Sequence, residues 1–482
     1  MTRLEAPPLP EGLVAFVKRD CPTCELVEGV LADIAKSANI TVYSQDDPNF
    51  PSGLHNLVDD KDLFFSWHHE IETVPTLLKV ASDGETSRIV GWDRAIWEEF
   101  TGLKNLGPDI APFRPGCGSL SVDPNLASYL EAKFSGSSLI GRRIEFAALE
   151  DSHEAMFDRG WTDGLPVVAP TEQRVLSMLA GTSRLPSEII ASVPPDLTPC
   201  TVEKIAINAV MAGCKPEYLP IVLAAVEAVC NETFNMHGLL ATTMPHAPVL
   251  VVNGPIAEQI GMNSSGNAFG QGNRANSTIG RAVQLVVRNV GGGRPGGVDR
   301  AALGSPAKVG FCFAEREADS PWEPISTMYG FPKGTNTVLA FPGEAPHNIT
   351  DQISRDPESL ARTFAINLLG IQHPKLVLMF DAILAVTPDH SRIFAEAGWS
   401  RERLTDRIIE LSIRPGKDLV RGANGIAEGI SADLQELDLP KFRQGGLHIV
   451  HCGGGAGLFS AIIGGWVNGD MGSTPVCVEI TP

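Results

Sequence analysis

Cys21-Pro-Thr-Cys24 follows the apolar run Leu13 to Val17 and precedes a helical pattern carried by Leu26, Val27, Val30, Leu31 and Ile34. A cysteine at a helix start lies where free amide N–H groups and the helix dipole favour the thiolate, so Cys21 is the expected nucleophile. Cys24, about one helical turn further on, can resolve a mixed disulfide, and Pro22 suits a first turn in which its missing N–H has no partner to lose. The chemistry implied is thiol–disulfide exchange. The competing use of the pair, half of a zinc site, calls for a second ligand pair, for which His68-His69 is available.

Two further thiols sit in settings that could do chemistry. Cys117 lies in Arg114-Pro-Gly-Cys-Gly-Ser119, where flanking glycines expose it and Arg114 could favour its thiolate. Cys452 immediately precedes Gly453-Gly-Gly-Ala-Gly457, so Gly453, Gly454 and Gly455 are candidate ligand contacts. Cys214, Cys230 and Cys312 stand in apolar contexts and read as core. A second glycine-rich stretch, Asn263 to Gly280, leads into a helix that runs to Val290, and Arg274, Arg281 and Arg288 recur every seven residues, so on one helix they share a face. Free amides near Asn276 with Arg274 and Arg281 could hold a carboxylate, phosphate or sulfur oxyanion. Salt bridges to an acidic surface are the alternative use of the same arginines. A lyase or hydrolase would instead draw on acidic residues such as Glu203 or Glu315.

The elements that must position these residues fall into four stretches. Residues 1–101 read as strand, CxxC, helix, strand (Ile40 to Tyr43), long crossover, Thr73-Val-Pro-Thr76, and a hairpin through Leu77 to Val80 and on to Val90. Residues 102–144 are rich in Pro and Gly and read as a linker arm carrying Cys117. Residues 145–340 form an α/β unit with helices Val202 to Ala212 and Pro216 to Val229 and buried strands Val249 to Val252 and Val309 to Phe313. Residues 341–482 form a last α/β unit with helices Pro357 to Leu369 and Arg401 to Leu411, a strand Leu376 to Phe380, a run Ile383 to Val386 and a closing strand, glycine loop, helix from Leu458, strand step. The fold class expected is α/β, a thioredoxin-like N-terminal domain plus a larger two-part body with a parallel or mixed sheet.

The pair CPTC and TVPT resembles the thioredoxin and glutaredoxin superfamily across roughly the first hundred residues. That resemblance implies a dithiol oxidoreductase domain in which Pro75 is the cis-proline beside the dithiol. The segment Val450 to Val478 looks like the C-terminal part of small bacterial proteins whose loop carries selenocysteine in a UGSC motif, themselves similar to the substrate-activating subunits of glycine and proline reductases. GWTDGLPVVAPT at 160–171 and TVEKIAINAVMAGCKPEYLP at 201–220 resemble a bacterial family associated with those proteins. Here the loop Gly453 to Gly457 holds neither selenocysteine nor cysteine, so either the chemistry moved to another thiol, with Cys117 or Cys452 the candidates, or the reductive activity was lost.

Composition sets the frame. In 482 residues, 43% hydrophobic and 20% charged content is globular and excludes a largely disordered chain. A net charge of −19 argues against nucleic acid or anionic membrane as a partner. The stretch His448 to Trp466 has two histidines and six glycines, so no transmembrane segment is expected. No cationic segment followed by an apolar core opens the sequence, and nine cysteines are an odd, modest number suited to reduced thiols, so a cytoplasmic protein is expected. No metal or cofactor is implied. Together these readings point to a thiol-dependent enzyme that reduces, or transfers sulfur to, a small anionic substrate. The fused CPTC unit recycles an active-site cysteine and draws on a dithiol reductant or thioredoxin-type electron donor, and a homo-oligomer is compatible with this. The alternatives are a redox-sensing or assembly protein with an inert body and the acidic-residue lyase or hydrolase. Tethering raises the effective concentration of the dithiol into the millimolar range, which gives covalent fusion its purpose.

Overall fold

The computed structural model describes residues 6–481 except 83, 85, 125, 127–129, 131–133, 135–138, 145 and 147–149. The chain divides into two compact units, Met1–Ser138 and Leu139–Pro482. Helices and mixed parallel and antiparallel sheets make up both, so the protein is α/β.

In the first unit a five-stranded sheet runs in the order β3-β2-β1-β5-β6, with β1 (Gly12–Val17), β2 (Ile40–Ser44), β3 (Leu57–Asp59), β5 (Thr76–Val80) and β6 (Thr86–Val90). β1 pairs parallel with β2 and antiparallel with β5, and its unbroken apolar run is buried, as a strand at the centre of a sheet requires. The helices α1 (Pro22–Leu26) and α2 (Glu28–Ser37) follow β1, and α2 buries Val30, Leu31 and Ile34. After β7 (Trp92–Asp93), α4 (Arg94–Thr101) starts on Asp93, whose carboxylate accepts from the Ala95 and Ile96 N–H groups, and stops at Gly102 in the left-handed region. A short helix, α3 (Phe64–His68), lies within the crossover between β3 and β4 (Thr73–Val74).

The 102–144 stretch, which reads in sequence as an arm, lies against this first unit over residues 107–121. The Trp92 indole donates to Ala111 O at 2.7 Å and Arg94 to Gly107 O at 2.7 Å. β8 (Phe113–Arg114) pairs with β7, and β9 (Cys117–Gly118) pairs with β4. A row of carbonyls and two short ladders therefore fasten it. Much of the rest of the stretch falls outside the described residues.

The second unit is built on an eight-stranded sheet whose halves repeat one pattern. β12 (Ala247–Asn253), α7 (Pro255–Gln259), α8 (Arg274–Asn289), β13 (Phe311–Ala314), β14 (Thr337–Gly343) and β15 (His347–Thr350) make the first half. β16 (Phe380–Val386), α9 (Pro388–Glu396), α10 (Arg401–Leu411), β19 (Leu447–His451), β20 (Phe459–Val467) and β21 (Val476–Glu479) make the second, with a small ribbon, β17 (Arg414–Pro415) and β18 (Asp438–Leu439), inserted. In each half the first strand is parallel to the second and antiparallel to the third. The fourth crosses over, β15 to β20 and β21 to β14, and the third strands meet at Gly343 and Gly465. Ahead of them a ribbon, β10 (Ile189–Val193) with β11 (Thr198–Thr201), leads into α5 (Val202–Ala212), started by Thr201 and ended by Gly213. α6 (Leu219–Val229) is apolar nearly all round and almost wholly buried.

Three expectations change. The run from Leu458 is not a helix but the strand β20, because a continuous apolar run fits either element, and Gly464 and Gly465 are needed where the sheet crosses itself: a Cβ on Gly465 would lie 2.7 Å from Asp381 O. The strand expected at Leu376 begins at Phe380 and continues through Val386. The division at 340 falls inside β14, which pairs with β12, β20 and β21. The turn at 82–84 includes residue 83, outside the described residues.

α8 crosses β13 at two glycines. A Cβ on Gly280 would lie 2.7 Å from Phe311 N, and one on Gly310 would lie 2.5 Å from Arg281 N. Gly280→Ala should therefore destabilise the protein by about 1–3 kcal/mol through overpacking, despite the gain of about 1 kcal/mol in helix propensity. Chemical denaturation followed by circular dichroism checks this; a stabilised variant would show that the helix can move away from the strand.

Candidate functional site

Three sulfurs come together in the first unit. Cys21 is the N-cap of α1, and its Sγ accepts from the Cys24 amide at 3.3 Å. Pro22 occupies the first helical position, as the sequence implies. Cys117 arrives from the other side: β9 pairs antiparallel with β4, Thr73 opposite Gly118 and Val74 opposite Cys117, while Ser119 N donates to Glu72 O at 2.9 Å. The Val74–Pro75 peptide bond is cis. When protonated, the Cys21 thiol donates to Val74 O at 3.6 Å; when ionised, Cys21 accepts hydrogen bonds from the thiols of both Cys24 and Cys117.

That arrangement decides which sulfur carries the charge. The Cys24 thiol, then the Cys117 thiol and the Cys24 and Thr23 amides, outweigh burial and bring Cys21 down to about 5. Burial pushes Cys24 far up, and the neighbouring Cys21 charge pushes it further. Cys117 is raised by burial and by the same charge. One thiolate is therefore shared among three sulfurs, and at neutral pH it rests on Cys21. The helix contributes through its amides, with the thiol donors above them.

Arg114 does not serve Cys117 as the sequence suggests. Its Nη1 donates to Pro22 O at 3.3 Å, and beside it Thr23 Oγ1 donates to Pro115 O at 2.7 Å. Both bonds fasten residues 114–115 to α1. Cys21 is only 1% exposed and Cys24 is fully buried, whereas Cys117 is part-exposed. His68 and His69 are turned to the carbonyls of Phe64 and Pro7, away from the zinc use considered for them.

A buried polar network that the sequence pattern does not reveal holds the other end. Gln45 Nε2 donates to Ser66 Oγ at 2.8 Å and to Ser119 Oγ at 2.7 Å, and its Oε1 accepts from Leu120 N at 3.0 Å. Ser66 Oγ donates to Asp60 at 2.6 Å, and Asp60 also accepts from the Phe65 and Ser66 amides. Ser121 Oγ donates to Ile71 O, so the Ser119 hydroxyl, 2.7 Å away, donates to Ser121. Every bond direction is fixed, which makes residues 119–121 a rigid anchor two positions beyond Cys117. Only the polar residues Ser44-Gln45 closing an apolar strand could have hinted at it.

In the second unit the two glycine-rich loops do meet. Gly453 N donates to Ser264 O at 2.9 Å, a Cβ on Gly454 would lie 3.0 Å from Gly266 Cα, and Arg316 Nη1 spans the loops to Gly453 O at 3.0 Å and Ser265 Oγ at 3.3 Å. Gly455 is exposed beyond them. Two of the three arginines on the shared face are used for structure. Arg281 grips Asp163 with two bonds of 2.7 and 2.8 Å and also donates to Leu165 O and Pro166 O. Burial opposes the Asp163 charge, but those Arg281 bonds hold its carboxyl below the ordinary range. Arg274 donates to Gly213 O at 2.8 Å, capping the end of α5. Asn276 spends its amide on Asn263 and Ala268, closing the loop in front of α8.

The remaining candidates are likewise committed. Cys452 is buried, with Ser264 O at 3.7 Å and Ala314 O at 3.8 Å, and burial raises its thiol well above the usual range. Burial also raises Cys200, Cys214, Cys230 and Cys312, in line with core roles. Glu203 holds the amides of Ile140 and Gly141 at 3.0 and 2.7 Å. Glu315, pushed up to about 7 by burial against the pull of Arg401, accepts from Asn253 at 2.6 Å and from Ile325 N at 2.7 Å.

Comparison with protein-family models, with curated proteins and with solved structures finds no match in any of the three.

The thiolate absorbance of the reduced protein should titrate with a midpoint near pH 5, the value reached by Cys21. Cys21→Ser should abolish that transition, and Cys117→Ala, which removes one thiol donor, should move it upward. A wild-type transition only near the ordinary cysteine value would contradict the shared-thiolate geometry. The folded-state pKa lies below the unfolded one, so the stabilisation from this ionisation is complete above the ordinary thiol pKa and is lost as pH falls through about 5.

Proposed function

We propose that the chain is a thiol–disulfide oxidoreductase of thioredoxin type in its first unit, in which Cys117 meets the substrate and the Cys21–Cys24 pair recycles it. The observation that carries this reading is the convergence of the Cys24 and Cys117 thiols on one Cys21 sulfur of depressed pKa. Cys21 is the activated sulfur yet has almost no exposed surface, and Cys117 is the part-exposed one, so accessibility and activation belong to different residues.

The steps follow from the shared proton. Cys117 attacks a substrate sulfur as its proton passes to Cys21, forming a mixed disulfide on Cys117 and releasing one thiol. Cys21 ionises again and attacks Cys117 Sγ; the Cys21–Cys117 disulfide forms and the second substrate thiol leaves. Cys24 then attacks Cys21, its proton passing to the departing Cys117 sulfur. The substrate disulfide has gained two electrons, and Cys21–Cys24 is oxidised. A low-molecular-weight thiol or dithiol restores it. The substrate expected for the whole chain remains a small anionic molecule. Arg274 and Arg281, committed to protein partners, are not its anchors in this reading.

Cys24→Ala removes the resolving thiol. One equivalent of a small disulfide should then leave a Cys21–Cys117 disulfide in the full chain, mapped by peptide mass spectrometry without reduction. Mixed disulfides on Cys21, with Cys117 free, would overturn the relay; a disulfide from Cys21 to Cys452 would move the recycled thiol to the second unit.

A further inference from the structure

Resting on the exchange reaction just proposed, we infer that residues 113–121 are a fixed cover that makes the dithiol serve small disulfides and closes it to polypeptide disulfides. An extended polypeptide docks beside a reactive thiol by adding its backbone to a free edge. The edge next to Cys21 is β4, whose Val74 O lies 3.6 Å from Cys21 Sγ. That edge is already filled from within: Gly118 and Cys117 pair with Thr73 and Val74, and Ser119 N continues the ladder to Glu72 O.

The cover fits too closely to share its place. A Cβ on Gly116 would overlap Thr73 Cγ2 and lie 2.9 Å from Val74 O, and a Cβ on Gly91, at φ +69°, would lie 2.9 Å from Gly116 N. Thr23 and Arg114 fasten its first half, and the Gln45 network fastens its second. For a polypeptide disulfide to reach Cys21, all of these bonds must open together. A molecule the size of cystine needs only the part-exposed Cys117 sulfur.

Recharging can use the same port. Cys117 attacks Cys21 in the Cys21–Cys24 disulfide, its proton passing to the departing Cys24 sulfur, and a small thiol then attacks Cys117 Sγ in the resulting Cys21–Cys117 disulfide, giving Cys117–S–S–R and the Cys21 thiolate. A second small thiol then releases Cys117 as a thiol and RSSR as product, so two electrons enter without the cover lifting.

The test uses the reduced full chain, freed of reductant and mixed with either cystine or insulin, with acid-quenched samples labelled by maleimide and the Cys21 and Cys24 thiols followed by mass spectrometry. Cystine should oxidise the pair, and insulin should do so about 100-fold more slowly, equivalent to about 2.7 kcal/mol for lifting the cover. Thr23→Val and Gln45→Leu, which each loosen one half of the cover, should raise the insulin rate. Where Gln45→Leu impairs folding, Thr23→Val, which removes a single bond, carries the comparison. Insulin oxidising the wild-type pair as fast as cystine, or an insulin rate unchanged in the folded variants, overturns the cover's role and leaves the exchange reaction standing. If neither disulfide oxidises the pair, the exchange reaction itself fails and this inference with it.

Discussion

The antiparallel pairing of Val74 with Cys117 is the constraint from which the first unit's chemistry descends. It fixes the backbone carrying the third sulfur against the backbone that faces Cys21, and so converts a dithiol into a three-sulfur centre. Without that register Cys21 would keep its amide contacts and Cys24 but lose a thiol donor, and its sulfur would be open to solvent. The pairing in turn depends on groups far from it in sequence. Trp92 and Arg94 seat the incoming chain, Gly91 and Gly116 allow the close approach, and Gln45 locks the outgoing chain to Ser66 and Ser119.

A thiolate inside a protein faces two opposed effects. Burial disfavours the charge, while hydrogen bonds to the ionised sulfur favour it. Around Cys21 the donors win; around Cys452, with carbonyl oxygens as its neighbours and Glu315 nearby, burial wins and the thiol stays neutral. Both cysteines follow a buried strand, and what separates them is whether their surroundings donate or accept. The same contrast governs Arg274 and Arg281 of α8, which follow a glycine-rich loop yet are taken up by a carbonyl group and by Asp163.

The sequence made the local chemistry legible. CPTC placed at a strand-to-helix turn set Cys21 at the helix start with Cys24 beside it, and helix periodicity located α5, α6 and α10 to within a residue or a turn. What stayed hidden were features set by contacts distant along the chain. The stretch after 102 has the composition of a linker because strands two residues long and carbonyl acceptors carry no hydrophobic period, and yet it builds the site. β20 reads as a helix because a run buried on both faces has no alternation. The doubled pattern of the second unit is held in strand pairings between β14 and β21 and between β15 and β20, which share no sequence motif.

Order of events is the most direct measure of a relay in which the exposed sulfur acts first and the activated sulfur second. Rapid-quench mapping of the reduced full chain after a single equivalent of cystine would resolve it. The half-cystine adduct is expected on Cys117 first, then the Cys21–Cys117 disulfide, then Cys21–Cys24. An adduct that forms first on Cys21, with Cys117 free at every time point, would contradict the three-sulfur centre.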